Sequence, residues 1–321
     1  MNKAQQRFEY IMKGDTIVKK WKKLLALVLS SLLVFSILEG CGKKEETAKV
    51  TEETTAEKST VTGETAEEIR EAAKDVQEIM DRGVLRVGVK NAVIGFGFQD
   101  TLTGEYSGME IVLAEKIAEQ LGVEVEFTPV TAATRTELLD SGDIDCVLAT
   151  FTITDERKES WDFSTPYFTD YVTVLVENAS GISALSDLLD KKVGVSSGST
   201  SAKALVSAMI EQELINSDGF NAENFDPAIW SEGVSFQQYD DYPTISTALS
   251  AGEIDAFCVD KSILAAYHTD TRSYIDDKFS PQNYGVATTK GSGLSEVVEG
   301  LITGWLSDGT IDELISENGL E

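Results

Sequence analysis

Two stretches of the chain spell nearly the same local structure. Leu138-Leu139-Asp140-Ser141-Gly142-Asp143-Ile144-Asp145-Cys146 and Ala248-Leu249-Ser250-Ala251-Gly252-Glu253-Ile254-Asp255-Ala256 each read as a helix end, a C-cap glycine and the start of an apolar strand. Upstream of each, at similar separations, lies a β-branched run: Val84-Leu85-Arg86-Val87-Gly88-Val89 before the first and Lys192-Val193-Gly194-Val195 before the second. Between the members of the first pair, Ile111, Leu113, Ala114, Ile117, Ala118 and Leu121 recur at helical spacing. Strands alternating with helices, laid down twice, predict two α/β lobes with mostly parallel sheets and a cleft between them. In such sheets ligands collect at the carboxyl ends of the strands, so the loops there are where chemistry belongs.

Charge and composition remove several alternatives. The formal net charge is −28, which disfavours nucleic acid and anionic membrane surfaces as partners. One histidine, His268, and three cysteines, Cys41, Cys146 and Cys258, leave almost nothing from which to build a zinc site. No metal or cofactor is expected. Cys146 and Cys258 fall in apolar strand segments of different lobes and read as reduced core residues. At 42% hydrophobic residues the chain is apolar enough for ordinary packed domains.

The first residues read as an address. Lys19, Lys20, Lys22 and Lys23 precede an apolar run at 24–38, shorter than the roughly 20 residues of a bilayer-spanning helix, as in an export signal. Leu38-Glu39-Gly40-Cys41 then resembles the lipobox of bacterial lipoproteins, which implies cleavage before a lipidated, palmitate-bearing Cys41. Residues 42–65, rich in Thr and Glu with few bulky side chains, are expected to be a disordered tether. Ile69, Ala72, Ala73, Val76, Ile79 and Met80 mark an amphipathic helix that ends at Gly83 and opens the folded body.

The strand-end loops are polar. Lys90 follows the first strand; Ala149-Thr150-Phe151-Thr152-Ile153-Thr154-Asp155-Glu156-Arg157 follows the third; Ser196-Ser197-Gly198-Ser199-Thr200-Ser201 follows the second-lobe strand; Ala256-Phe257-Cys258-Val259 ends at Asp260. Taken singly, Lys90 and Arg157 read as solvated cations, the serine run as a plain capped turn, and Asp260 as a partner of Lys261 or a cap of the helix after it. Scarcity favours another use, because the arginines past Val84 are Arg86, Arg135, Arg157 and Arg272 alone. Thr134 and Glu137 have capping-box spacing, which puts Arg135 in a first helical turn, where the macrodipole disfavours a cation by roughly 0.3–1 kcal/mol. A guanidinium kept at such a cost suits a bidentate grip on a carboxylate. The serine run precedes a helical pattern at Ala202, Leu205, Val206, Ala208 and Met209, and its N–H groups and hydroxyls suit an anion.

From about Leu85 to the C-terminus these segments resemble the polar-amino-acid substrate-binding proteins of ABC transporters, solute-binding protein family 3. The segment at 149–157, with Asp162-Phe163-Ser164-Thr165-Pro166-Tyr167, and Gly108-Met109-Glu110-Ile111 carry the likeness. Val87-Gly88-Val89-Lys90-Asn91, Thr131-Ala132-Ala133-Thr134-Arg135, Tyr242-Pro243, Val259-Asp260-Lys261-Ser262 and Pro281-Gln282-Asn283-Tyr284-Gly285 resemble the glutamate/aspartate-binding subtype. The resemblance implies a two-lobed, periplasmic-binding-protein-like (type II) α/β fold with two mixed, mostly parallel sheets. Lobe 1 would span 66–173, completed by 285–321, and lobe 2 would span 174–284. Two crossover strands near 171–176 and 282–287 would act as hinges. It further implies that Arg157, with Thr150 and Thr152, holds the ligand α-carboxylate, with Ser199 and Thr200 closing over it. Asp260 would take the α-ammonium, assisted by Tyr242. Arg135 and Lys90 would hold a side-chain carboxylate, and Tyr284 would line the site. The family's usual aromatic in the first loop has no counterpart at Val93, and 209–236 is longer than the family norm, with no role assigned.

The implied protein is a monomeric, lipid-anchored binding protein on the extracytoplasmic face of the cell membrane, delivering an acidic amino acid to an ABC permease and its ATPase. Glutamine should bind worse, because Arg135 would then lack a partner in a closed cleft. The rival readings are a binding protein for glutamine or cystine, a cyclohexadienyl or arogenate dehydratase-like enzyme on the same scaffold, and a sensory ligand domain. No Ser-His-Asp arrangement is visible, and the chain is read as a binder, not an enzyme.

Overall fold

Val84–Val89 forms strand β1 in a computed structural model that describes residues 66–320. The export signal, Cys41 and the tether lie outside the described residues. Helix α1 (Ala66–Arg82) precedes β1, and the short strands β2 (Ala92–Val93), β3 (Gly97–Gln99) and β4 (Tyr106–Ser107) follow it as a small sheet of their own. Next come α2 (Met109–Leu121), β5 (Glu124–Pro129), α3 (Thr134–Asp140), β6 (Cys146–Leu148), α4 (Asp155–Ser160) and β7 (Trp161–Phe163). β8 (Phe168–Glu177), β9 (Lys191–Ser196), α5 (Ser201–Glu211), β10 (Val234–Tyr239), α6 (Tyr242–Ala251), β11 (Ala256–Asp260) and α7 (Lys261–Leu264) build the second sheet and its helices. β12 (Arg272–Tyr274) and β13 (Phe279–Tyr284) complete that sheet, and β14 (Ala287–Thr289), α8 (Gly293–Ser307) and α9 (Thr310–Glu317) return to the first.

The repeat seen in the sequence is a repeat of structure. The first sheet runs β5-β1-β6-β14-β7 and the second β10-β9-β11-β8-β12, with β13 also on β8. In each, the first three strands are parallel and in the same order. The remaining pairings are antiparallel, and a single strand in each sheet, β14 in the first and β8 in the second, runs against the others, so the sheets are mixed and mostly parallel in strand direction, as expected. The reason is the path of the chain, which leaves the first sheet through 164–167, returns through 285–286, and adds each returning strand antiparallel to its neighbour. Residues 171–176 thus lie within β8 itself and not at a crossover.

The equivalent residues do equivalent work. Asp145 Oδ2 accepts from the Arg86 N–H at 2.8 Å, and the Asp145 N–H donates to Arg86 O at 2.8 Å. Asp255 repeats both contacts with Lys192, each at 2.8 Å. Each aspartate thereby staples the start of one strand to the next. Gly142 and Gly252 turn the preceding helix with φ of 74° and 70°. Ile144 and Ile254 then drop into the core over the glycine of the first strand. A Cβ on Gly88 would lie 2.6 Å from Ile144 Cδ1, and one on Gly194 would lie 2.4 Å from Ile254 Cδ1.

The expected helices form. Val76 and Ile79 of α1 face the core, and α1 lies on α8. Leu113, Ala114, Ile117 and Leu121 bury one face of α2. Cys146 and Cys258 are buried free thiols whose burial pushes their pKa up. The long segment at 212–233 has no helix or strand and folds on an aromatic knot. Phe220, Phe225 and Trp230 sit 5.6–5.8 Å apart, and Phe225 also meets Phe236. Among the described residues no helix is long and apolar enough to cross a membrane.

Candidate functional site

The loops at the strand ends of both lobes meet. Lys90, directly after β1, is 4% exposed, and its Nζ lies 5.4 Å from the ring of Tyr242, which opens α6 in the other lobe. Burial first, and then the charge of Arg135, hold its pKa well below the ordinary lysine value. Arg135 is 3% exposed and lies in the first turn of α3, as expected. The expected capping box does not form. Ala133 occupies the cap position, and the Thr134 hydroxyl instead accepts from the Thr131 N–H at 3.0 Å.

Arg135 is also not the unpartnered charge that the sequence suggested. Its Nη1 donates to Ala149 O at 2.9 Å and to Thr150 O at 3.3 Å, and its guanidinium lies 3.9 Å from the Phe151 ring centre. Its Nε is buried with no partner among the described residues. Arg157 approaches the same ring at 4.7 Å. It donates from Nη1 to Thr152 O at 2.7 Å and from Nη2 to Gly198 O, across the lobes, at 3.1 Å. Burial and the charge of Arg135 lower its pKa to about 9, so it stays a cation at neutral pH.

Thr150 carries the strain of the site. Its φ is 46°, a left-handed conformation that costs a threonine about 1–3 kcal/mol. What holds it there is Glu110, fully buried on α2, whose Oε1 accepts from the Thr150 N–H and from the Tyr167 hydroxyl, each at 2.6 Å. Burial raises the Glu110 pKa, and its Oε2 has no partner among the described residues. Thr152 and Thr200, expected to bind ligand, both donate their hydroxyl protons to Gln282 Oε1, at 2.8 and 2.7 Å. Gln282, on β13, thereby ties the two lobes. The Ser199 Oγ is buried and without a partner among the described residues.

Asp260 ends β11 and is 5% exposed. It neither pairs with Lys261 nor caps the following helix, because Asp170 takes the Ser262 N–H instead, at 3.0 Å. Its Oδ2 accepts from the Tyr284 hydroxyl at 2.5 Å. Burial first, and then the charge of Asp170, push its carboxyl up to about 7. Tyr284 belongs to a buried aromatic group with Phe96 and Phe168, at 5.6 and 5.8 Å. Phe96 supplies, three positions past Val93, an aromatic side chain in the first loop. Lys90, Arg135, Arg157 and Asp260 all act on one another electrostatically, so the cleft gathers three cations and one acid from both lobes.

Glu110, Asp170, Gln282 and Phe151 were not picked out as site residues. Two of them were visible by periodicity. Glu110 stands on the buried face of α2 with Leu113, Ala114 and Ile117, and Asp170 has the buried parity of Val172, Val174 and Val176 on β8. A charge on a buried face is a signal in itself.

Two α/β lobes, joined by two passages of the chain and lined with charge where their strand ends meet, define a two-lobed solute-binding protein of the periplasmic type. The sequence pattern of the bacterial extracellular solute-binding proteins, family 3, matches residues 85–318, and the chain belongs to that family. It is 30% identical over 301 residues to the ABC transporter glutamine-binding protein GlnH of Bacillus subtilis, covering 91% of this chain and 96% of that one. It is 34% identical over 245 residues to the L-cystine-binding protein TcyJ of Escherichia coli strain K12, covering 74% and 84%. Among solved structures it is similar to the ancestral amino acid-binding protein AncCDT-1, a precursor of cyclohexadienyl dehydratase. The identity is 32%, the TM-score 0.61, and the coverage 76% of this chain and 98% of that one.

Proposed function

We propose that the protein captures an amino acid with a side-chain carboxylate, glutamate or aspartate, between its lobes and delivers it to an ABC importer. The observation that carries this reading is the convergence of buried Lys90, Arg135 and Asp260 with half-buried Arg157 where the strand ends of the two lobes meet. A ligand with two carboxylates and one ammonium matches that set. Arg157 and the Thr150, Thr152, Ser199 and Thr200 loops take the α-carboxylate, Asp260 with Tyr242 and Tyr284 takes the ammonium, and Arg135 with Lys90 takes the side-chain carboxylate. The two lobes, divided at 164–167 and 285–286, close as a monomer, anchored through a lipid on Cys41 at the extracytoplasmic face. It is a binder, and the chain's relatives named above are binding proteins.

Glu110 favours a second reading. It lies within electrostatic reach of both Lys90 and Arg135 and offsets part of their charge, and Arg135 already has two carbonyl partners. An uncharged side chain such as that of glutamine, or the zwitterionic cystine, fits a cleft so balanced.

Titration calorimetry with glutamate, aspartate, glutamine and cystine separates the two. Glutamate or aspartate is expected to bind at about −8 kcal/mol or better, which is micromolar or tighter. Arg135→Ala should lose most of the preference for the acidic ligand. Glutamine binding as tightly as glutamate overturns the acidic assignment and leaves the second reading standing. Turnover of prephenate or arogenate would overturn both.

A further inference from the structure

Next to Asp260 stands a second buried carboxylate. Asp170, on β8, is 6% exposed, and β8 pairs antiparallel with β11 so that Asp260 lies opposite Val172. One phenol stands between the two acids. The Tyr284 hydroxyl is 2.5 Å from Asp260 Oδ2 and 3.4 Å from Asp170 Oδ2. A phenol has one proton to donate, and the shorter contact takes it.

The two carboxylates are provided for unequally. Asp170 Oδ1 accepts from the Tyr171 N–H at 2.7 Å, and its Oδ2 accepts from the Ser262 N–H at 3.0 Å and from the Ser262 hydroxyl. With these donors Asp170 is satisfied as an anion. Asp260 has Tyr284 as its one hydrogen-bond donor among the described residues. The cations that face it are held elsewhere. Arg135 from α3 lies on the carbonyls of Ala149 and Thr150, Arg157 from α4 lies on those of Thr152 and Gly198, and Lys90 from the end of β1 sits over Tyr242 of α6. Among the described residues none of them forms an ion pair with Asp260. A buried carboxylate with one donor and a like charge beside it favours its neutral form, and its carboxyl is accordingly raised to about 7. What it lacks is a cluster of N–H donors with positive charge, which an ammonium supplies.

We propose that Asp260, Tyr284 and Asp170 form a proton-linked ammonium site, in which Asp260 releases its proton to solvent as the ligand ammonium docks, and Asp170 is the positioning residue that sets the pH at which capture becomes tight. This rests on the reading that Asp260 holds the α-ammonium. The balance is simple: the neutral carboxylic acid and the ammonium become a carboxylate–ammonium pair, and one proton leaves to water. Below the midpoint the ligand must displace that proton, so affinity rises with pH and then levels. His268, the single histidine of the chain, is stacked on Tyr274 with ring centres 5.0 Å apart. Its removal serves as the control.

The test is calorimetric titration of the protein with glutamate and with glutamine at pH 5.5, 6.5, 7.5 and 8.5. Each pH is run in two buffers of different ionisation enthalpy, which counts the protons released. For whichever ligand binds, affinity should rise close to tenfold from pH 5.5 to 6.5 and level above 7.5, with nearly one proton released at the lower pH. Asp170→Asn should bind more tightly than wild type at pH 5.5 and more weakly at pH 8.5, a crossing that a merely structural role would not produce. Tyr284→Phe, which removes the bond favouring the carboxylate, should move the rise to higher pH, and His268→Gln should leave it in place. Binding that is constant within twofold from pH 5.5 to 7.5 with no proton release overturns the proton linkage and leaves the binding function intact. No amino-acid binding at any pH, or undiminished binding by Asp260→Asn, overturns this proposal together with the reading on which it rests.

Discussion

Glu110 shows how much of the site rests on a residue that faces away from solvent. Its carboxylate pins the Thr150 backbone in a left-handed conformation, and the Ala149 and Thr150 carbonyls in turn receive Arg135. Replacing Glu110 by alanine leaves the Thr150 N–H and the Tyr167 hydroxyl buried without partners, at about 1–3 kcal/mol each. Glu110→Ala is therefore expected to lose about 2–6 kcal/mol in urea denaturation. Glu110→Gln, which keeps an acceptor oxygen, should lose clearly less. Equal losses in the two variants would show that the two donors are satisfied in another way. At this scale the scarcity of arginine pointed to Arg135 and Arg157, and strand-end position together with the family resemblance pointed to Lys90 and Asp260. It did not indicate their partners. The carbonyls beneath Arg135 belong to the loop after the next strand, 14 and 15 residues on, and the two threonine hydroxyls that seemed free for ligand are taken up by Gln282.

Among the elements, the duplicated strand-helix-strand unit is the most legible part of the fold, because its constraints are local. Glycine is required where the helix turns at Gly142 and Gly252, and again in the first strand where an isoleucine crosses it. Gly194→Ala would place a Cβ 2.4 Å from Ile254 Cδ1 and 2.7 Å from Ile245 Cγ2, both in the buried core. Overpacking of this kind costs about 1–3 kcal/mol. Gly194→Ala should lower the denaturation midpoint accordingly, and adding Ile254→Val, which removes the nearer methyl, should recover part of the loss. Absence of any recovery would mean that Ile245 and not Ile254 sets the limit. The antiparallel pairings were not legible in the same way. The neighbours of β8 and β14, the two strands that run against the rest of their sheets, are chosen by where the chain crosses between sheets, which no local pattern records.

For the whole molecule, closure of the lobes depends on small residues where loops of the two lobes touch. Gly198 has φ of 74°, and a Cβ there would lie 2.8 Å from Ala132 O and 3.0 Å from Ala133 Cα in the opposite lobe. Backbone cannot yield as a side-chain tip can, so Gly198→Ala should hold the lobes apart. Ligand affinity is expected to fall at least tenfold, about 1.4 kcal/mol, while the unliganded protein melts within a few degrees of wild type. Affinity equal to wild type would show that capture does not need this contact. The surface acidity behind the net charge of −28 is compatible with binding an anion, because charges beyond a Debye length of roughly 8–10 Å are screened while Lys90, Arg135 and Arg157 act at close range. The sequence by itself determined the two α/β units, their helices and the strand-end loops from which the charged residues project, because periodicity, glycine turns and caps act over a few residues. Only the tertiary structure decided that Glu110 holds Thr150 and that burial, with Asp170 beside it, raises the carboxyl of Asp260, with Gln282 binding one threonine from each lobe. Those interactions join groups far apart along the chain, and their strength comes from a burial that exists only once both lobes are folded.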